Sequence, residues 1–254
     1  MAERFHTVVI GGGCLGVASA VSLARRACGN SSGKVCVLEQ AVLGAGLSSR
    51  HSAIVRSANA SVTAAILAHR STQLWKDLRS LWDVDMPVER CGAIWIGRDK
   101  GAADDNPWRR LERMMQSRGI DFRAIDRHEA ARRSQNCMRL DPDEIYFFEP
   151  DVLQLDSADI MHAMQSAVRR HDITLKEHTR VLDVGVDGTG CISGVRTNHG
   201  EITCESVVNA AGAWSAGLFA RIGLNIPVAL EPVYAANWLV SGDDLPASLP
   251  IVAD

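Results

Sequence analysis

Near the amino end, the apolar positions fall into two short runs, Phe5 to Ile10 and Lys34 to Leu38, closed by a glycine and a glutamate. Runs of this length, rich in β-branched residues and ended by turn formers or charge, predict strands buried on both faces. Between them Gly16, Ala20, Leu23 and Ala24 recur at helical intervals, small first and larger later. That spacing predicts a helix lying against the sheet, with Arg25 and Arg26 near its C-terminus, where positive charge suits the dipole. The polar cluster from Gly29 to Gly33 ends it. Leu74, Trp75, Leu78, Leu81 and Trp82 share helical spacing and predict a packing face. Ile160, Met161, Met164, Ala167 and Val168 predict another helix, capped by Asp156 or Ser157. Cys91 to Ile96, Ile145 to Phe148 and Val233 to Val240 read as strands of a second sheet. Residues 178–206 read as three short strands, followed by a buried strand from Val207 to Asn209. Turn formers cluster at Gly101 to Pro107 and at Asp141-Pro142.

Strand, turn, helix and strand in succession give the α/β class with a parallel sheet. The glycines at the first turn carry the chemistry. Gly11, Gly13 and Gly16 match G-x-G-x-x-G, with Cys14 and Leu15 inside the motif. The three glycines serve a tight turn, close approach to a pyrophosphate, and close packing of helix on strand. Glu39 ends the second strand, where a carboxylate accepts hydrogen bonds from an adenosine ribose and repels a 2′-phosphate, which disfavours NADP.

Composition narrows the class further. With 254 residues, 46% hydrophobic and 22% charged, the chain has apolar material for a sizeable core. A net charge of −3 gives no electrostatic footprint for nucleic acid or an anionic membrane. No apolar run reaches the ~20 residues a membrane helix needs, and with the first strand expected within a few residues of Met1 no leader peptide is expected. The seven cysteines are odd in number and lack C-x-x-C spacing, so neither a disulfide framework nor a metal site is expected. A cytoplasmic setting fits that usage.

After Glu39 and Gln40 the chain runs on as "AVLGAGLSSRHSAIVRSANA", rich in Gly, Ser and Ala. A simple NAD-binding half would place a helix here. The stretch resembles the second signature of glutathione-reductase-type FAD proteins. "GLSSRHSAIVRS" is similar to the loop of the D-amino-acid oxidase superfamily, which includes sarcosine oxidases, dimethylglycine and sarcosine dehydrogenases, and glycine oxidase. "FFEPDVLQLDSADI" and the terminal "VVNAAGAW" continue the resemblance.

The resemblance implies a Rossmann-like, glutathione-reductase-type FAD-binding domain with an inserted, mainly antiparallel α+β substrate domain. The implied segments are 1–84 and 151–228 for FAD, and 85–150 and 229–254 for substrate. Relatives continue by a hundred residues or more, so the resemblance covers their first two-thirds. Uncovered apolar sheet edges are then expected. The implied cofactor is FAD, held by Gly11, Gly13, Cys14, Leu15, Gly16, Glu39, Gln40, Ser48, Ser49, Arg50 and His51. Val181 at the adenine and Ala211, Gly212 and Trp214 near the flavin nucleotide complete the set. Val181 also reads as plain core, and Trp214 as a packing residue.

The implied activity is oxidation of the C–N bond of an amino acid or N-methyl amino acid, with His51 and Arg56 as the catalytic candidates. His51 has two readings: a covalent flavin link, as in the dimethylglycine and sarcosine dehydrogenases, or a hydrogen bond near the flavin. Leu155 stands where heterotetrameric sarcosine oxidases attach FMN to histidine, which argues against a second flavin. His162 and His171 suit solvent exposure. The partners implied are a small amine or amino-acid substrate and a partner subunit or electron acceptor. Three rivals remain: an NAD dehydrogenase, a flavin-dependent dehydrogenase of 2-hydroxy acids or glycerol 3-phosphate, and a truncated, non-catalytic nucleotide-binding remnant.

Overall fold

Arg4–Ile10 forms an interior strand of a six-stranded sheet in the computed structural model, which describes residues 3–27, 33–98, 106–231 and 249–253. Thr7 to Ile10 are all buried, as a strand covered on both faces requires. Gly200–Asn209 and Val35–Leu38 flank it in parallel, and Thr174–Lys176 follows Val35–Leu38, also in parallel. Ile192–Thr197 and Val181–Val186 extend the other side as an antiparallel meander. Register brings the carboxyl ends of the parallel strands level, with Ile10 opposite both Leu38 and Asn209, and Leu38 opposite Lys176. Ligands of open α/β sheets bind at that edge.

Helices Cys14–Ala27 and Ser157–Arg170 pack together beside this sheet. Gly16, Val17, Ala20 and Val21 form the buried side of the first, while Leu23 and Ala24 are half-buried. Another cluster joins Phe5, Val8, Cys36 and Leu38 to Val184, Val195 and Cys204 of the meander. These elements belong to one unit, Met1–Ser52, Arg79–Met86 and Ser157–Ala235.

The second unit comprises Ala53–Leu78, Pro87–Asp156 and Ala236–Asp254. Its four-stranded sheet runs Ile251–Ala253, Ala93–Arg98, Glu144–Glu149, Arg123–Ile125, parallel in the first pair and antiparallel after it. Alternation sorts its side chains. Trp95 and Phe147 join Met115 and Phe122 on one face, whereas Ile94, Tyr146 and Phe148 join Ala130 on the other. Helix Pro107–Gln116 covers the first face, with Pro107 in its first turn and the Asn106 side chain capping Trp108 N–H. A three-stranded sheet of Ile54–Val55, Leu153–Gln154 and Glu89–Arg90 completes the unit's β-structure among the described residues.

Several sequence expectations change. The strand from Val207 to Asn209 is the half-buried end of Gly200–Asn209, because the third strand continues without a break alongside Arg4–Ile10. The helix around Leu74 begins at Val62, ends at Trp75 and resumes as Leu78–Trp82. Leu74 is exposed, since Ala65 and Thr72 form the buried face. Segment Ala53–Leu78 falls in the second unit because Ala58 and Ala65 pack into the Trp95–Phe147 cluster. His171 is half-buried, its Nε2 3.1 Å from the Trp82 carbonyl. The expected strand from Val233 to Val240, most of the 101–107 turn and most of the helix stop at 29–33 lie outside the described residues.

Candidate functional site

Gly11 directly follows the Arg4–Ile10 strand with φ +107°, a conformation costly for a residue with a side chain. A Cβ there would lie 2.3 Å from the Ala210 carbonyl oxygen, so the strand end that carries Ala210 and Ala211 sits hard against the turn. At Gly16 a Cβ would lie 1.9 Å from the Gly11 carbonyl oxygen. Both contacts are with backbone and cannot yield by a change of rotamer. The first helical hydrogen bond runs from Val17 N–H to the Gly13 carbonyl at 2.9 Å. Of the N–H groups ahead of Val17, Cys14 N–H is taken by Ser48 Oγ, so Leu15 and Gly16 carry the donors that a helix start leaves open to an anion.

Glu39 is buried and bridges two backbone segments. Its Oε2 accepts from Gly12 N–H at 2.8 Å and its Oε1 from Ala41 N–H at 2.9 Å. Each oxygen keeps a further lone pair for an incoming hydroxyl. Thr179 N–H donates to the Glu39 carbonyl at 2.8 Å, which places Val181 two residues beyond a segment tied to Glu39. Ser48 Oγ accepts from Cys14 N–H at 3.0 Å and closes the loop over the helix start.

The structure thus gathers Gly11, Gly13, Cys14, Gly16, Glu39, Ser48 and Ala211. Leu15 is 79% exposed at the same helix start and Trp214 is 55% exposed. Gln40, Ser49, Arg50 and His51 lie on the loop, and the His51 carbonyl accepts from Ser157 Oγ at 3.3 Å. Val181 is half-buried against the meander cluster. Arg56 belongs to the second unit.

These residues fit a dinucleotide. The turn leaves no room for side chains at Gly11 and Gly16, where backbone lines it, and the Glu39 and Ser48 side chains border it at Gly12 and Gly13. A Cβ at Gly212 would meet nothing within 4 Å, so the strand end opens to space. Leu15 and Leu47, 79% and 73% exposed, are large apolar side chains that a flat ligand would cover.

Sequence reasoning missed three supports. Gly44 has φ +77°, its N–H donates to the Gly12 carbonyl at 2.9 Å, and a Cβ there would lie 2.0 Å from Met161 Sδ. Glu177 Oε1 accepts from Leu43 N–H at 2.7 Å, fixing the same loop from the neighbouring strand. In the second unit Glu149 is fully buried, and the sequence carries a signal for it: an acid in "YFFEP" amid aromatic residues. Burial pushes the Glu149 carboxyl up, against the opposing pull of N–H groups and of Arg56. Among the described residues no group of His, Cys, Asp and Glu is arranged to hold a metal ion, and no helix is long and apolar enough to cross a membrane.

Comparison with known proteins agrees with this geometry. The chain is 26% identical to glycine oxidase of Geobacillus kaustophilus over 90% of its own length and 60% of that protein's. It is 25% identical to the mitochondrial pyruvate dehydrogenase phosphatase regulatory subunit of Mus musculus, over 88% of this chain and 25% of that one. The fold matches the crystal structure of L-proline dehydrogenase from P. horikoshii with a TM-score of 0.78 and 25% identity, covering 91% of this chain and 59% of that one. The chain therefore spans about 60% of the length of glycine oxidase and of the proline dehydrogenase. The family model described as DAO, FAD dependent oxidoreductase, matches residues 6–252, and the chain belongs to that family.

Proposed function

We propose that this chain supplies the FAD site and part of the substrate framework of an oxidoreductase acting on the C–N bond of an amino acid or N-methyl amino acid. The observation that carries the reading is the convergence of the glycine turn, Glu39 and Ala211 at the carboxyl edge of the parallel strands. In it, the Leu15 and Gly16 N–H groups near the start of the Cys14–Ala27 helix face the pyrophosphate and Glu39 accepts from the ribose. Ser48 and the loop through His51 fold over the phosphates, and His51 hydrogen-bonds near the flavin. Val181 lies towards the adenine, and Gly212 and Trp214 towards the flavin nucleotide.

FAD held by these residues would supply an acceptor for the hydride of the C–H bond next to nitrogen, which with loss of the N–H proton gives an imine for water to hydrolyse. The chain's own contribution is positioning. Arg56 pairs with the substrate carboxylate, through donors other than the one held by the Ala58 carbonyl. The electron acceptor is a small molecule or a partner subunit. The cysteines present among the described residues are free, which suits a reducing compartment such as the cytoplasm.

Anaerobic titration of the FAD-loaded protein with glycine, sarcosine, proline and a 2-hydroxy acid tests the reading. Bleaching of the flavin by the amines and not by the hydroxy acid is the expected result. A second reading has an observation behind it, the similarity to a protein named as a regulatory subunit. Bound flavin that no amine bleaches favours a nucleotide-binding regulatory role.

A further inference from the structure

Glu149 is the most buried acid among the described residues, with no exposed surface, at the end of a strand lined by Phe147 and Trp95. Its Oε1 accepts from Ser57 N–H at 2.5 Å and Ala58 N–H at 3.2 Å, and its Oε2 from Trp95 Nε1–H at 3.1 Å. All three contacts bear on one neighbour. Ser57 and Ala58 directly follow Arg56 in the chain, and the Arg56 guanidinium lies over the Trp95 ring, 5.0 Å from its centroid. Arg56 Nη1 also donates to the Ala58 carbonyl. The guanidinium is thus fixed by its own loop, by a ring beneath it and by a carbonyl, and Glu149 holds two of those three supports in place. Arg56 nevertheless remains exposed, and a guanidinium that gives one of its five N–H donors to the Ala58 carbonyl has others to offer an external acceptor.

We infer that Glu149 is a positioning residue: it aims the Arg56 guanidinium at an external carboxylate by locking the Arg56–Ala58 backbone and the plane of Trp95. The inference rests on the proposed carboxylate-binding role of Arg56. Two effects of the buried charge oppose each other. Its field competes with an incoming carboxylate for Arg56, while its hydrogen bonds preorganise Arg56 to receive one. Planar, bidentate recognition by arginine depends on orientation, and a guanidinium set on a ring platform gives up little freedom on binding. Orientation therefore decides the sign, and loss of Glu149 weakens carboxylate binding rather than strengthening it. In Glu149→Gln the backbone donors keep an acceptor, but the side-chain amide then opposes the Trp95 N–H donor to donor, and the ring loses its anchor.

The test uses the whole chain and acetate as the minimal carboxylate. Titration is followed by the NMR signal of the Trp95 indole N–H, assigned through its disappearance in Trp95→Phe. Wild type is expected to show a saturable acetate shift that Arg56→Lys weakens and that Glu149→Gln weakens about tenfold. Chloride at equal ionic strength is expected to give no shift. Equal or tighter acetate binding by Glu149→Gln, or a wild type that does not respond, overturns the inference. If Glu149→Gln does not fold, Trp95→Phe breaks the same bond from the other end. Its acetate affinity, read by calorimetry, then falls at least threefold if the bond aims Arg56 and is unchanged if it does not. Acetate binding needs no flavin, so failure here is separable from failure to bind FAD, which would sink the oxidoreductase reading instead.

Discussion

Two carboxylates, one in each unit, are taken out of water by different routes. Glu39 follows its strand by one residue and accepts from Gly12, 27 positions away, and Ala41, two positions away. Those partners belong to one strand–turn–helix–strand motif with fixed spacing. Glu149 draws its partners from 54 to 92 positions away, through sheet register and the docking of a loop. The comparison teaches that a buried charge is readable from sequence when a local motif supplies its partners. When tertiary packing supplies them, the charge looks like an oddity in an apolar run.

The largest effect separating the two is expected at Gly16. A Cβ placed 1.9 Å from a carbonyl oxygen forces the helix off the strand, so Gly16→Ala is expected to cost about 3 kcal/mol and abolish FAD binding. Thermal melting and flavin titration check this. The Trp95–Phe147 cluster of the other unit should survive, visible as unchanged aromatic NMR signals.

Glu149→Gln is expected to cost about 1–3 kcal/mol by setting donor against donor in a buried place. Its pH dependence carries a sign. Burial raises the Glu149 carboxyl above its ordinary 4.5, so its stabilisation is full below 4.5 and is lost as pH rises through the folded value. The stability difference between wild type and Glu149→Gln is therefore larger in mild acid than in alkali. Paired urea melts across that range would show it.

Asp151 is the surface counterpart. Burial alone would raise it, but hydrogen bonds from Lys76 and Gln73, with the Lys76 charge, hold its carboxyl below the ordinary 3.8. That stabilisation is present above 3.8 and disappears as pH falls through the folded value. The Asp151 side chain is 41% exposed, so Asp151→Asn is expected to cost less than about 1 kcal/mol and to lose most of that in high salt. The smallest perturbation is thiol labelling. Cys137 and Cys191 are exposed and should react first, whereas Cys36, buried and pushed up to about 12, should react only on unfolding.

The glycine turn, its helix, both flanking strands and Glu39 are legible in the sequence because each needs only short-range spacing and one backbone constraint. The helix Val62–Trp75 is not, because its buried residues are small, Ala65 and Thr72, and its larger apolar residues face outward. Val207 to Asn209 looks like a separate strand because the polar residues of Gly200–Asn209 obscure its continuity. Arg56 stands out for its charge alone. Its setting over Trp95 and beside Glu149 depends on register between strands that sequence does not display.

The oxidoreductase reading stands on the glycine turn with Glu39 as a dinucleotide site, and equilibrium titration of FAD into the chain and its Glu39→Ala variant tests that most directly. Quenching of flavin fluorescence should saturate with wild type and require at least tenfold more protein with Glu39→Ala, a loss of about 1.4 kcal/mol or more. FAD that stays free beside wild-type protein, or that binds both proteins alike, contradicts it.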